Sequence, residues 1–373
     1  MKICHVVPFY YPQYAAPYEY THILARQGYT VDVIALRRPH EQVKEQSGDL
    51  AILRVDKNSV GRVAGILHWP LIQTVLAKVQ KTRYDIVHVY AFRGSGLLPL
   101  FGKRYTPNWI LDIRTGNVSK NSLVASIADG VTAIESQSYA THIALDERVG
   151  HKVLGKRDVF HVVPVGADMQ KFRPGDKMAL RTKLGIPQGA QIAIYVGSLN
   201  AWRRPRFMLQ AFANAAREQP NLCLMILGDD DAMEDLRAHA AELNISNQVL
   251  LLGYKPYEEI PEYIAASDIG FAYVPNIPQF RYQPPLKTAE FLACGLPTVA
   301  TDTEGNAYFV QHEENGLLVP DSLDALGMAL RRLAEDQTLY AKLAQQARSS
   351  VMHHDWTHIV QTKLIPIYQA LAT

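Results

Sequence analysis

The run YQPPLKTAEFLACGLPTVATD, residues 282–302, sets two prolines, a lysine and a glutamate close together. Pro284 and Pro285 pre-set the first turn of a helix. Its opening amides, those of Leu286 and Lys287, lack intrahelical partners, so an anion placed there meets backbone N–H groups and the positive end of the helix dipole. Lys287 adds a charge-assisted contact to the same anion, and Glu290, one turn further in, can accept hydrogen bonds from a ribose diol. A second run, YVGSLNAWRRPRFML at 195–209, offers Gly197 for close backbone approach, Ser198 beside it, and the cations Arg203, Arg204 and Arg206. That combination suits a diphosphate. A third, MILGDDDAMEDL, sets Asp229, Asp230 and Asp231 after Gly228; the acids suit a helix cap and dipole better than a metal site.

These segments need a scaffold. Short apolar runs alternate with longer amphipathic stretches, the pattern of βα units on parallel sheets. Strands are expected at 2–7, 30–36, 86–90, 109–113, 130–134, 142–145 and 159–163. A second series is expected at 191–196, 223–227, 249–252, 269–272, 298–300 and 316–319, after a connection punctuated by Pro164, Gly166 and Pro174. In open parallel sheets ligands bind beyond the carboxyl ends of the strands, where the first two runs above fall. The chain ends in helices with a break at MHHDW, 352–356, beyond which Trp356, Ile359, Leu364, Ile367 and Leu371 form a largely apolar face.

At 373 residues, 48% apolar and 20% charged, the sequence is that of a folded chain of two domains rather than a disordered one. The net charge of +2 hides an asymmetry: residues 1–180 carry 23 Lys+Arg against 15 Asp+Glu, or +8, and the remainder 15 against 21, or −6. The basic first half favours an anionic acceptor or an acidic membrane surface. Cys4, Cys223 and Cys294 lie far apart in apolar sequence, as buried thiols of a reducing compartment. Without a signal-peptide pattern or a spanning run, a cytoplasmic location is expected, with membrane contact only at the surface. Tyr10, Tyr11, Tyr14, Tyr18 and Tyr20 cluster after the first strand, where they can pack the core, stack on a sugar or meet a membrane interface. No GxGxxG follows that strand, which disfavours a dinucleotide oxidoreductase. A nucleic-acid partner is not expected.

Four segments in order, VVPVGADMQKFRP, YVGSLNAWRR through Phe212, LMILGDDDAMEDLRAHAAELNISNQVLLLGY and PPLKTAEFLACGLPTVATD, resemble motifs of the retaining glycosyltransferases of the GT-B fold, family 4. The resemblance implies an α/β fold of two Rossmann-like, doubly wound domains facing across a cleft. Residues 1–165 plus 355–373 would hold the acceptor, and 166–354 the nucleotide-sugar donor, a UDP- or GDP-sugar. It further implies transfer to a glycan, lipid-linked or small-molecule acceptor with retention of configuration, by front-face attack and without metal or resident cofactor. Position by position, Gly197 matches the glycine beneath the diphosphate, Arg203 the phosphate-binding cation, Pro285, Leu286 and Lys287 the proline-leucine-lysine motif, and Glu290 the ribose-holding glutamate. His88, Asp112 and Arg114, at the ends of first-half strands, would orient the acceptor or the sugar. By themselves His88 reads equally as a buried structural histidine and Asp112 with Arg114 as a local ion pair. The sequence departs from the family at Ser198, where arginine is common, at Tyr282, where the family has the first glutamate of a pair whose second is Glu290, at Arg114, where it often has histidine, and at QYAAPYEY, where it has a double-glycine loop. Those departures leave two alternatives, a nucleotide-sugar epimerase and a catalytically silent nucleotide-sugar-binding protein.

Overall fold

The structure, a computed structural model, describes residues 1–12, 14–56, 68–115, 122–155, 159–228 and 232–372. The chain forms two compact units, Met1–Val165 with Trp356–Thr373, and Gly166–Asp355.

The first unit contains β1 (Lys2–Tyr10), β2 (Thr30–Arg37), β3 (Lys44–Ser47), β4 (Leu50–Asp56), β5 (Ile86–Tyr90), β6 (Trp109–Ile113), β7 (Thr141–Ala144) and β8 (His161–Val162). They pair in the order β3-β4-β2-β1-β5-β6-β7-β8, all parallel except the β3–β4 hairpin. Because side chains alternate along a strand, the sheet has two characters. One face carries Cys4, Val6, Val87, Val89, Leu111 and Ile113 into an apolar core with Leu71, Ile72 and Val75 of the helix Trp69–Lys81. On the other face His5 pairs in register with His88, and Tyr90 with Asp112, so the register itself gathers polar side chains.

The run Gly130–Ile134, expected as a strand, lies inside the helix Ser122–Ser136. Its β-branched residues continue a helical stripe through Leu123, Ile127 and Ile134, all exposed. The β3–β4 hairpin, for which no strands are expected, buries Leu50, Ile52 and Arg54 at alternate positions.

The second unit contains β9 (Gln191–Val196), β10 (Leu222–Leu227), β11 (Val249–Gly253), β12 (Ile269–Ala272), β13 (Thr298–Thr301) and β14 (Gly316–Val319), paired in parallel as β11-β10-β9-β12-β13-β14. The order reverses between β9 and β12, the switch point at which such sheets bind ligands. The helix Leu286–Ala293 packs close beside it, because Gly270 in β12 has no side chain: a Cβ there would stand 2.7 Å from both Phe291 and Thr298. Burial of Phe291 contributes about 1.5–3 kcal/mol to holding that helix down.

Candidate functional site

The switch point assembles the second-unit residues that the sequence singles out. Lys287 enters the first turn of the helix Leu286–Ala293, whose N-cap is Pro285 without any side-chain cap. Its ammonium reaches back to the sheet, 3.7 Å from the ring centroid of Tyr195 in β9 and 3.3 Å from the carbonyl oxygen of Tyr273, just past β12. Gly197 follows β9 with φ +142°, a conformation side chains rarely adopt, and a Cβ on it would lie 3.5 Å from Nζ of Lys287. The glycine, the lysine and the helix start therefore border one small space.

Arg203 joins them. Asn200 caps the short helical turn Ala201–Arg203 by accepting from the amides of Trp202 and Arg203. The guanidinium then lies 3.7 Å from the ring centroid of Phe280, in the loop after β12. The arginines divide by partner: Arg204 pairs with Asp321 at 3.1 Å, and Arg206 with Asp235 at 2.7 Å and Glu242 at 3.0 Å. Among the described residues no ion pair is formed by Arg203 or Lys287. Burial holds Lys287 well below the usual lysine pKa, and the nearby positive charge of Arg203 lowers it further; burial likewise lowers Arg203. Two desolvated cations thus face one space, an arrangement that a polyanion would relieve.

Glu290, buried one turn into the helix, accepts from the hydroxyl of Tyr257 at 3.2 Å. Its carboxylate partly offsets the depression at Lys287. Buried Asn306 fixes the helix start, accepting from Thr288 at 2.9 Å and donating to the carbonyls of Ala272 and Thr301 at 3.2 and 2.9 Å. Ser198 receives a 3.0 Å hydrogen bond on its hydroxyl from Asn200, and its carbonyl accepts from Tyr195 at 3.0 Å. Tyr282 is 43% exposed, with the Arg281 guanidinium 5.6 Å from its ring centroid. Asp229, Asp230 and Asp231 lie outside the described residues. Among those described, no three His, Cys, Asp or Glu side chains converge to hold a metal ion.

In the first unit His88, Asp112 and Arg114 also come together. Oδ2 of Asp112 accepts from His88 Nε2 at 2.9 Å and from Arg114 at 3.0 and 2.8 Å. Arg114 also donates to the Val163 carbonyl at 2.8 Å and to the Tyr20 hydroxyl. His88 and Asp112 have no exposed side-chain surface, while Arg114 keeps 18%. Burial raises the Asp112 pKa, but Arg114 and His88 outweigh it and hold the carboxyl below its ordinary value; burial lowers His88 despite Asp112. Of the tyrosines, Tyr11 and Tyr20 are core residues and Tyr14 is exposed. Tyr195, Tyr273, Phe280 and Asn306 went unread in the sequence, since only the fold makes them neighbours of Lys287 and Arg203.

Residues 176–350 match the family described as "Glycosyl transferases group 1". A curated relative, the D-inositol 3-phosphate glycosyltransferase of Corynebacterium jeikeium, is 33% identical over 302 residues, spanning 73% of this chain and 69% of the relative. The chain belongs to the glycosyl transferases group 1 family. Against the same-named proteins of Nocardia farcinica and Rhodococcus erythropolis, this group 1 chain covers only 65% and 53% of their length. Among solved structures, the sucrose-phosphate synthase of Thermosynechococcus elongatus superposes with a TM-score of 0.80 at 20% identity, over 100% of this chain and 99% of that one. Anabaena HepE in complex with UDP gives 0.76 at 18%, over 99% and 100%. At such identities they speak to the fold alone, which is the two-unit GT-B fold of this glycosyltransferase family.

Proposed function

We propose that this chain is a retaining hexosyltransferase that takes its sugar from a nucleoside-diphosphate donor, with UDP or GDP as carrier, and passes it to a hydroxyl of a glycan, a lipid-linked sugar or a small molecule. The observation that carries this reading is the meeting of Gly197, Arg203, Lys287 and Glu290 at the β9/β12 switch point. Departure of a diphosphate needs its growing charge neutralised, and preorganised cations with backbone amides are generally the largest electrostatic contribution to such a step. Arg203, Lys287 and the amides of Leu286 and Lys287 fill that role, with Ser198, Pro285 and Tyr282 bordering the donor; Glu290 holds the ribose. Two cations and a helix start meet the charge requirement without a metal. The first unit supplies the acceptor side through Arg114, with Asp112 and His88 behind it. HepE, a protein of the same fold, has been solved with UDP, one of the two carriers named here.

The same reading includes peripheral contact of the first unit with an anionic membrane at its cytoplasmic face. The helix Ser122–Ser136 exposes Leu123, Val124, Ile127 and Ile134, and residues 1–180 carry the +8 excess. Cosedimentation with anionic but not zwitterionic vesicles is the expected behaviour. Among the described residues no helix is long and apolar enough to cross a membrane.

Thermal-shift titrations with UDP, GDP, ADP and their sugars test the donor site. One nucleotide should stabilise the protein by mass action and lose its effect in Glu290→Ala. Melting curves indifferent to every nucleotide would defeat the reading. A second reading, a binder without turnover, draws on Tyr282 standing exposed where the family carries a glutamate; nucleotide release that requires an added acceptor decides against it.

A further inference from the structure

A chain of buried hydrogen bonds in the first unit begins on the C-terminal segment and ends at Arg114. The hydroxyl of Tyr368, in the helix Ile365–Ala372, lies 2.6 Å from Nδ1 of His88 and 3.4 Å from Nε2 of His5. The two imidazoles stack at 4.7 Å and 14°, as their pairing in register on β1 and β5 requires. All three side chains are fully buried, and burial holds both histidines below their ordinary pKa, so both rings are neutral near pH 7.

A neutral imidazole has one N–H, and here geometry decides which nitrogen carries it. His88 Nε2 faces the Asp112 carboxylate at 2.9 Å and must donate; Nδ1 then accepts, so Tyr368 donates to it. The tyrosine oxygen can in turn accept from His5 Nε2, which leaves His5 Nδ1 bare, and that atom has no partner among the described residues. Oδ2 of Asp112 is shared between His88 and Arg114, so a turn of the imidazole moves the carboxylate that aims the guanidinium. A second feature points the same way. The last helical stretch is interrupted by a π-helical turn, Val360–Leu364, of the kind often found at functional positions. Val360 and Leu364 at the ends of that turn are buried, as is Tyr368 four residues on.

We propose that Tyr368 is a positioning residue: Asp112 fixes His88 as the Nε2–H tautomer, and the Tyr368 hydroxyl, donating to Nδ1, holds that ring against Asp112 and so sets where Arg114 presents its exposed edge. The inference rests on the reading of Arg114 as the group that meets the acceptor or the transferred sugar. Long-range 1H–15N spectra of the imidazoles test the lock without any substrate, with His88→Gln identifying the signal. The wild-type protein should show His88 as Nε2–H with a hydrogen-bonded Nδ1, and Tyr368→Phe should keep Nε2–H while its Nδ1 resonance moves to that of an unbonded imine nitrogen. Under the donor found by the melting screen, Tyr368→Phe should lose between about tenfold and a hundredfold in kcat, the scale expected for a misplaced group, with donor KM unchanged. A wild-type His88 protonated on Nδ1 overturns the proposal without recourse to any variant, as does a Tyr368→Phe enzyme with wild-type Nδ1 resonance and kcat. Arg114→Gln separates the two claims: if it turns over normally, the role of Arg114 fails; if it is inactive while Tyr368→Phe matches wild type, only the tyrosine lock fails.

Discussion

The ammonium of Lys287 stands over the ring of Tyr195, 3.7 Å from its centroid, with the Tyr273 carbonyl as its hydrogen-bond acceptor at 3.3 Å. A ring and a carbonyl are weaker company for a desolvated cation than a carboxylate. Among the described residues the ammonium therefore has no paired carboxylate, an arrangement that costs the free protein stability whenever the lysine is charged.

The first prediction follows from that cost. A lysine with a depressed folded pKa binds its proton less well folded than unfolded, so its charge costs stability below the folded pKa, and the cost fades as pH rises toward the unfolded value near 10.4. Lys287→Met should raise the melting temperature of the free protein at neutral pH, by about 2–4 °C for each kcal/mol relieved. The same variant should lose the stabilisation by nucleoside diphosphate. Differential scanning calorimetry with and without nucleotide checks both halves, and a lower melting temperature for the free variant would contradict the account.

Nucleotide binding should also take up protons. A diphosphate beside Lys287 raises its pKa, so affinity falls as pH climbs through the empty-site value, and uptake appears as a binding heat that varies with the ionisation enthalpy of the buffer. In Lys287→Met that buffer dependence should vanish. Equal heats in phosphate and Tris for the wild type would show the lysine already protonated.

Glu290 and the two cations should separate by ligand. Glu290→Ala is expected to weaken the nucleotide about tenfold to a hundredfold, the scale of hydrogen bonds to a charged group, while leaving inorganic pyrophosphate untouched. Arg203→Ala should weaken both. Isothermal titration with the two ligands distinguishes them.

Phe280 should behave as a support. Removing its ring face takes about 0.5–1 kcal/mol of cation–π contact from Arg203. Phe280→Ala should then cost only a few-fold in nucleotide affinity, far less than Arg203→Ala. Equal losses in the two variants would place Phe280 against the ligand itself.

Acid should loosen the first unit. His5 and His88 both have depressed folded pKa values, so the unfolded chain binds more protons and stability, complete above about pH 6.5, falls as pH drops below it. Two histidines set a ceiling of about 2.7 kcal/mol per pH unit. His5→Phe should roughly halve the slope of stability against pH between 6.5 and 5, measured by urea unfolding.

Much of this was legible from residue order, and the exceptions have physical causes. Pro285, Lys287 and Glu290 are readable because one helix start carries all three within six residues, so local spacing is also spatial spacing. Phe280 and Asn306 are not, since their relation to Arg203 and Thr288 exists only once loops after different strands converge. The three arginines are alike on paper; among the described residues two prove to be paired with acids distant in sequence and one is not. The run at 130–134 misleads because its helix leaves apolar residues exposed, so it mimics a buried strand. Tyr368 escapes because the histidines it meets, His5 and His88, lie on strands hundreds of residues earlier in the chain.

The polypeptide leaves the first unit after Val165, builds the second through Asp355, and only then returns with Trp356–Thr373. During ribosomal synthesis the earlier-made sheet must wait, with its stacked imidazoles uncovered, until a complete neighbouring unit has emerged and the closing tyrosine arrives. A stop codon between Asp355 and Tyr368 would accordingly harm the portion translated first, leaving the second unit whole.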